Sequence, residues 1–242
     1  MNTIVRIVVT TLLSIFMLSC NFSMDFGPGV DGDRNVIIAN RNISNNFESV
    51  KVSQGLDLYI TQSNSVTLSV EADENLHELI MTEVEDGVLR IYTTENIRRA
   101  ASRKINLNVA DISAIKATSG SDVISTNTIE VDELELNSTS GADIKLTVKT
   151  EKLNCHSTSG SDIKLSGTTK ALIAEASSGS DIEASQLKAE TSKVKASSGA
   201  DISVNTSKEL TARASSGGDI RYTGSPERVN TSDSSSGSVR AN

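Results

Sequence analysis

Thr118-Ser119-Gly120-Ser121-Asp122-Val123 opens a phrase that the chain keeps repeating. It returns as SGADI at 140–144, SGSDI at 159–163 and 178–182, SGADI at 198–202, SGGDI at 216–220 and SGSV at 236–239. The glycines are Gly120, Gly141, Gly160, Gly179, Gly199, Gly217 and Gly237, so successive copies lie 21, 19, 19, 20, 18 and 20 residues apart. A sustained period of this length marks a stacked-repeat architecture.

Counting back and forward from each glycine sorts the copies into columns. Five before it stand Ile115, Leu136, Cys155, Ala174, Val194 and Ala212; three before it Ala117, Ser138, Ser157, Ala176, Ala196 and Ala214; three after it Val123, Ile144, Ile163, Ile182, Ile202 and Ile220. Leu134, Leu153, Leu172 and Leu210 stand seven before. These columns step by two, so each copy predicts two short strands with one apolar face and a Gly-centred bend between them. The column between, Lys116, Asn137, His156, Glu175, Lys195 and Arg213, is polar and faces outward.

One such unit cannot bury its apolar face alone, whereas copies stacked about 4.8 Å apart build a continuous core. The expected fold is therefore all-β, a parallel β-helix with coils of about 19–20 residues over residues 112–240. An antiparallel sandwich would not repeat the same residue type at the same offset. The left-handed hexapeptide signature is missing, which favours a right-handed helix. In the last copy the Asp is gone and the inward columns turn polar at Asn230 and Ser232, as expected of a terminal coil that blunts an open edge.

Ahead of the repeats, FESVKVS, LDLYITQ, VTLSVEA, GVLRIYT and KINLNVA alternate apolar with polar residues between 47 and 109 and predict a less regular strand-rich part. Within it SQGLDLYI at 53–60 reads as a divergent first copy, with Gly55 and Asp57 in the places of the repeat Gly and Asp. Residues 73–80 predict a short helical turn capped by Asp73, and His77 on it is expected at the surface.

The start of the chain is a targeting segment. Arg6, the twelve apolar-rich residues Ile7 to Leu18 and then Ser19-Cys20 give a positive region, a signal-peptide core too short to span a bilayer, and a cysteine placed for lipidation. Residues 1–19 are thus expected to be a lipoprotein signal peptide and Cys20 the acylated first residue of the mature chain. Two acyl chains would anchor it stably, at about 0.8 kcal/mol per buried methylene. Residues 20–34 carry Gly, Pro and Asp without periodicity and read as a tether; a single domain follows over 35–242. Cys155 is the only other cysteine, so stability has to come from packing.

Composition narrows the function. The chain has 242 residues, no Trp, three Tyr, four Phe and a net charge of −8. The charge argues against nucleic acid as a partner, and the shortage of aromatics means a core of Ile, Leu, Val and Ala. The chemistry-bearing column is Asp122, Asp143, Asp162, Asp181, Asp201 and Asp219. Carboxylates stacked at the coil spacing repel by about 0.9 kcal/mol per pair even at the dielectric of water. Turn amides, the basic residues two positions on (Lys145, Lys164 and Arg221), or a divalent cation such as Ca²⁺ between coils would each offset that. No other metal or cofactor is indicated. For catalysis the sole candidate near the ladder is His156 beside Cys155, and Cys155 sits in an inward column as a small hydrophobe. The chain is expected not to be an enzyme.

With these motifs in place, a resemblance follows. A signal with lipidation cysteine, FESVKVSQGLDLYITQS, GVLRIYT and then the SG-[SA]-D-[IV] copies resemble the head GIN domain family of auto-transporter adhesins, over most of residues 45–225. The resemblance implies a β-helical domain on exported or lipid-anchored proteins, with adhesion as its role, and carries no catalytic or binding residues across. The expected function is that of a lipid-anchored outer-membrane protein, on the cell surface or the periplasmic face, contacting a glycan, a protein or its own copies. A periplasm-facing structural or sensory lipoprotein is the alternative, and a carbohydrate-active β-helix enzyme a minor one.

Overall fold

The computed structural model describes residues 28–234 and 236–242, so the signal segment and Cys20 lie outside the described residues. The chain enters with β1 (Val30–Asp31), β2 (Val36–Arg41), β3 (Ser49–Val52), β4 (Asp57–Gln62) and β5 (Thr67–Asp73). After a 3-10 turn at Glu74–Leu76 come β6 (Ile80–Glu85), β7 (Val88–Thr93), β8 (Ile97–Arg99) and β9 (Arg103–Val109). β10 (Ala114–Thr118) leads into the repeating coils β11 (Asp122–Thr139), β12 (Asp143–Thr158), β13 (Asp162–Ser177), β14 (Asp181–Ser197) and β15 (Asp201–Ser215). β16 (Asp219–Thr223), β17 (Arg228–Asp233) and β18 (Ser238–Ala241) form the last turn.

Each coil pairs in parallel with the next, and the like residues of the repeat lie in register: Asp122 with Asp143, Asp162, Asp181, Asp201 and Asp219 in succession, and Leu136 with Cys155, Ala174, Val194 and Ala212. This is the parallel β-solenoid that the period predicts. All four inward columns are buried, and Phe47 is the only aromatic among the buried residues described. Small aliphatic residues suffice because every coil lends its neighbours two faces to pack on.

Two features of the coil differ from the sequence expectation. The strand after each of the five Ser-Gly turns from Gly120 to Gly199 does not stop before the next bend; it runs on as one strand of 15 to 18 residues from its Asp to the following turn. The second corner is turned without leaving the ladder, and the uneven repeat spacing is absorbed there. Toward the following coil, Ser125, Thr126 and Asn127 stand opposite Leu146 alone, and Ser185, Gln186 and Leu187 opposite no residue of β15, at shifts in register. Bulges at a corner bend the strand while leaving the apolar columns aligned.

The Ser-Gly turn is tight. Ser119 and Gly120 take φ of 57° and 69°, and the five later copies through Ser216 and Gly217 repeat the pair. Two successive positive φ values need a glycine at one of them and cost the serine about 1 kcal/mol. Backbone bonds offset the cost: Gly120 N–H donates to the Ser140 carbonyl at 3.1 Å, and Asp143 N–H to the Ser121 carbonyl at 3.0 Å, as in each later copy. Gln54 and Gly55 adopt the same pair of φ values, and Asp57 lies in register with Asp122, so SQGLDLYI is indeed a first copy.

The final coil is offset from the expectation. Ser238 pairs with Asp219, so Gly237 occupies the column of Gly218 rather than that of Gly217, and its φ is not positive. By the same count Ser236 falls opposite Gly217, yet its carbonyl accepts from Gly217 N–H at 2.7 Å, as the turn serine's does in the earlier copies. The inward columns end on Val229, Thr231 and Asp233, in place of Asn230 and Ser232. An exposed Asp at an inward position still discourages further strand addition at this edge.

At the other end the order begins earlier than Asn35. β1 pairs with β8, and the following residues are held by Asp73, so part of the expected tether at 20–34 belongs to the folded body. Asp73 does not cap the 3-10 turn, which has no side-chain cap. Its fully buried carboxylate accepts from the backbone N–H groups of Arg34, Ala101 and Ser102 at 2.9 to 3.1 Å. His77 is not a surface residue either: it is buried, with Nε2 3.2 Å from the carbonyls of Ile37 and Ala72.

Candidate functional site

The register that aligns the apolar columns also aligns the acids. Asp57 extends the expected six to a row of seven, one per coil. Two positions on, in the same outward sense, runs a second row, Ile124, Lys145, Lys164, Glu183, Ser203 and Arg221. Both rows line one open groove of about 490 Å³ from Asp122 to Asp219.

What offsets the stacked carboxylates differs along the row. Burial, and then the neighbouring carboxylate, pushes Asp122 and Asp143 above the ordinary carboxylate range. For Asp57, burial raises the pKa against the opposing charges of Arg103 and Lys104. Donors of the next coil help in places: the backbone N–H of Asp201 reaches Asp181 Oδ1 at 3.3 Å, and the Ser238 hydroxyl donates to Asp219 Oδ1 at 2.5 Å. The basic residues do not serve as expected. Lys164 Nζ pairs with Glu183 at 2.7 Å, and among the described residues no ion pair within 4 Å joins Lys145, Lys164 or Arg221 to the Asp row. Nor, among the described residues, do three or more His, Cys, Asp or Glu side chains converge as a metal would need.

The raised carboxyls give a signed prediction. A folded pKa above the unfolded one means that the native state holds more protons in that interval, so this row adds stability as pH falls from neutral toward the ordinary carboxylate pKa. Asp122→Asn is expected to raise the melting temperature at pH 7, by relief of roughly 0.5 kcal/mol of like-charge contact, and to flatten the gain as pH falls from neutral toward the ordinary carboxylate range. An unchanged pH profile in thermal melts would count against the row as a source of strain.

One further position went unread in the sequence. The residue after each turn glycine is fully buried: Ser121, Ala142, Ser161, Ser180 and Ala200. Ser161 Oγ lies 2.8 Å from the Ser138 carbonyl and Ser180 Oγ 2.8 Å from that of Ser157, stitching each coil to the one before. The signal was present from Gly120 to Gly217, where only Ser, Ala or Gly follows the turn glycine, although the first copy has the buried Leu56 there; at Gly218 a Cβ would lie 2.6 Å from the Ala196 carbonyl carbon. Cys155 is buried with its thiol pushed far above the ordinary range by burial, and His156 is exposed, its Nδ1 3.9 Å from Glu175. Nothing in that pair forms a nucleophile and base.

The coils thus present a repetitive, charged, open surface on a parallel β-solenoid. The chain belongs to the family described as putative auto-transporter adhesin, head GIN domain, whose model matches residues 46–226. Among solved structures it is similar to a putative adhesin from Bacteroides fragilis, with a TM-score of 0.82 and 23% identity over 88% of this chain and 100% of that one. It is also similar to a putative lipid binding protein from Parabacteroides distasonis (TM-score 0.70, 23% identity, 88% and 99% of the chains). A putative adhesin from Parabacteroides merdae gives a TM-score of 0.71 at 20% identity, over 88% and 98%. At these identities the likeness concerns the fold. No curated protein matches the chain. The family is described as an adhesin, not as an enzyme, and no helix of the described residues is long and apolar enough to cross a membrane.

Proposed function

We propose that the protein is a non-catalytic cell-envelope adhesin, held on the outer membrane by acyl chains on Cys20, that binds an extended polar ligand along the Asp-row groove. The observation that carries this reading is the groove itself, which presents the same acid at the same height on six successive coils from Asp122 to Asp219. A periodic row matches a polymer, whether a glycan or an extended peptide, better than a compact metabolite, because each repeat of the ligand meets an equivalent contact. The family description and the adhesin relatives support the same role.

The test is exposure on intact cells. Lys149, Lys170 and Lys208 carry side chains 65, 60 and 57% exposed, so a membrane-impermeant amine reagent has targets on a rod with few cleavable loops. Labelling on intact cells is the expected result. Labelling only after lysis would overturn the adhesin reading and leave a periplasm-facing structural or sensory lipoprotein.

A further inference from the structure

The end of the solenoid where the chain enters carries an apolar edge with no partner in the fold. β2 pairs with β5 on one side, antiparallel, and ends that sheet. Its Val36, Ile37 and Ile38 are 40, 37 and 68% exposed, and the other large hydrophobic so exposed among the described residues is Val229, in the last coil at the opposite end. All of Asp33 to Ile38 is exposed, although the segment is fixed by the Asp73 bond to Arg34 N–H and by β2 pairing. A surface edge of contiguous Val and Ile, rigidly presented, calls for a cover.

The charges around it are mixed. Arg34, Arg98 and Arg99 are exposed; Arg98 pairs with Asp31 at 2.6 Å, while Asp33 and Glu74 accept from Asn35. Such a rim suits headgroups that carry both signs, phosphates meeting Arg and ammonium groups meeting the carboxylates. The chain length indicates which surface lies within reach. Val30, the first strand residue, is ten positions after Cys20, so an extended connection spans at most about 35 Å. An acylated Cys20 therefore keeps this end within reach of the bilayer and leaves the Val229 end to swing toward it or away.

We propose that the Val36–Ile38 edge seats the entry end of the solenoid on a phospholipid headgroup layer, so that the coils rise from the membrane and present the Asp-row groove at a distance from it. The inference rests on the anchoring reading above. From Asp57 to Ser238 the row climbs seven coil spacings, roughly 34 Å at 4.8 Å each. Seating fixes the tilt of the rod, which a lipid tether alone would leave free.

The test uses the full chain purified from membranes, its acylation read by intact mass, in vesicles of phosphatidylethanolamine and phosphatidylglycerol containing a headgroup-nitroxide lipid. Ile38→Cys and Val229→Cys each receive a fluorophore; Cys155 is fully buried and an acylated Cys20 has no thiol to compete. Both sites are exposed, so the fold is expected to survive, and Val36→Cys serves where Ile38→Cys melts early. The expected result is quenching at 38 at least threefold stronger than at 229. Equal quenching in an acylated chain overturns the seating alone, as does a 38–38 crosslink between copies without quenching, which would assign the edge to a second copy. An unmodified Cys20 overturns the anchoring reading and this inference with it.

Discussion

Gly167→Ala is expected to destabilise the solenoid by about 3–5 kcal/mol, the sum of backbone strain and forced separation of two coils. Gly167 lies within β13 with φ of 108°, outside the small left-handed region that other residues tolerate. A Cβ there would sit 2.0 Å from the Val148 carbonyl oxygen of the preceding coil, far inside contact distance and against backbone, not a side chain that moves aside. Gly141→Ala is the matched control. Its φ is 70° and a Cβ would meet nothing within 4 Å, so only the left-handed strain of about 1–2 kcal/mol applies. At about 2–4 °C per kcal/mol for a chain of this size, the two variants should separate clearly in thermal melts. Equal losses would mean that the coils relax around residue 167 and that the close approach is not a constraint.

The contrast between these glycines also marks what the sequence shows and what it hides. Gly141 announces itself through the repeat, because a turn with two successive positive φ values recurs at every copy and leaves the same Ser-Gly signature. Gly167 occurs once, at the second corner, where bulges of differing length absorb the uneven spacing and no common residue type survives. The inward columns were legible for the same reason as the turn: each must fit between two like neighbours, so Ile stacks on Ile for five coils. The acid row was equally plain, but its partners were not. Lys164 lies two residues after Asp162 in sequence, yet Glu183 of the next coil stands directly beside it in register and takes the ammonium. Proximity along a strand puts side chains i and i+2 about 7 Å apart, whereas the neighbouring coil is nearer at about 4.8 Å. The last coil shows the limit of motif counting: SSGSVR matches the phrase, but hydrogen bonding sets the register one residue away from it.

Those gains in the repeats have no counterpart at the entry end, where long-range backbone contacts rule, and Asp73 is the residue on which they converge. Asp73→Ala is expected to cost about 3 kcal/mol or more, since it removes three charge-assisted, part-buried bonds from the N–H groups of Arg34, Ala101 and Ser102 at once. The loss should be local first, freeing β1 and the segment to Arg34, so hydrogen exchange at 30–36 would rise before the coils melt. The same carboxyl sets an acid limit. Burial alone would raise its pKa, but the backbone N–H groups of Arg34, Ser102 and Ala101 outweigh burial and hold it below the ordinary 3.8. A depressed folded pKa contributes stability that is complete above the unfolded value and disappears as pH falls through the folded one. The Asp row works in the opposite sense at higher pH, its raised carboxyls favouring the folded state as they take up protons. Stability should therefore climb from neutral pH toward the ordinary carboxylate range and then fall below it, and Asp73→Ala should remove the acid-side fall while lowering the whole curve. A variant curve that keeps the wild-type acid limb would show that other carboxylates, and not this latch, govern unfolding in acid.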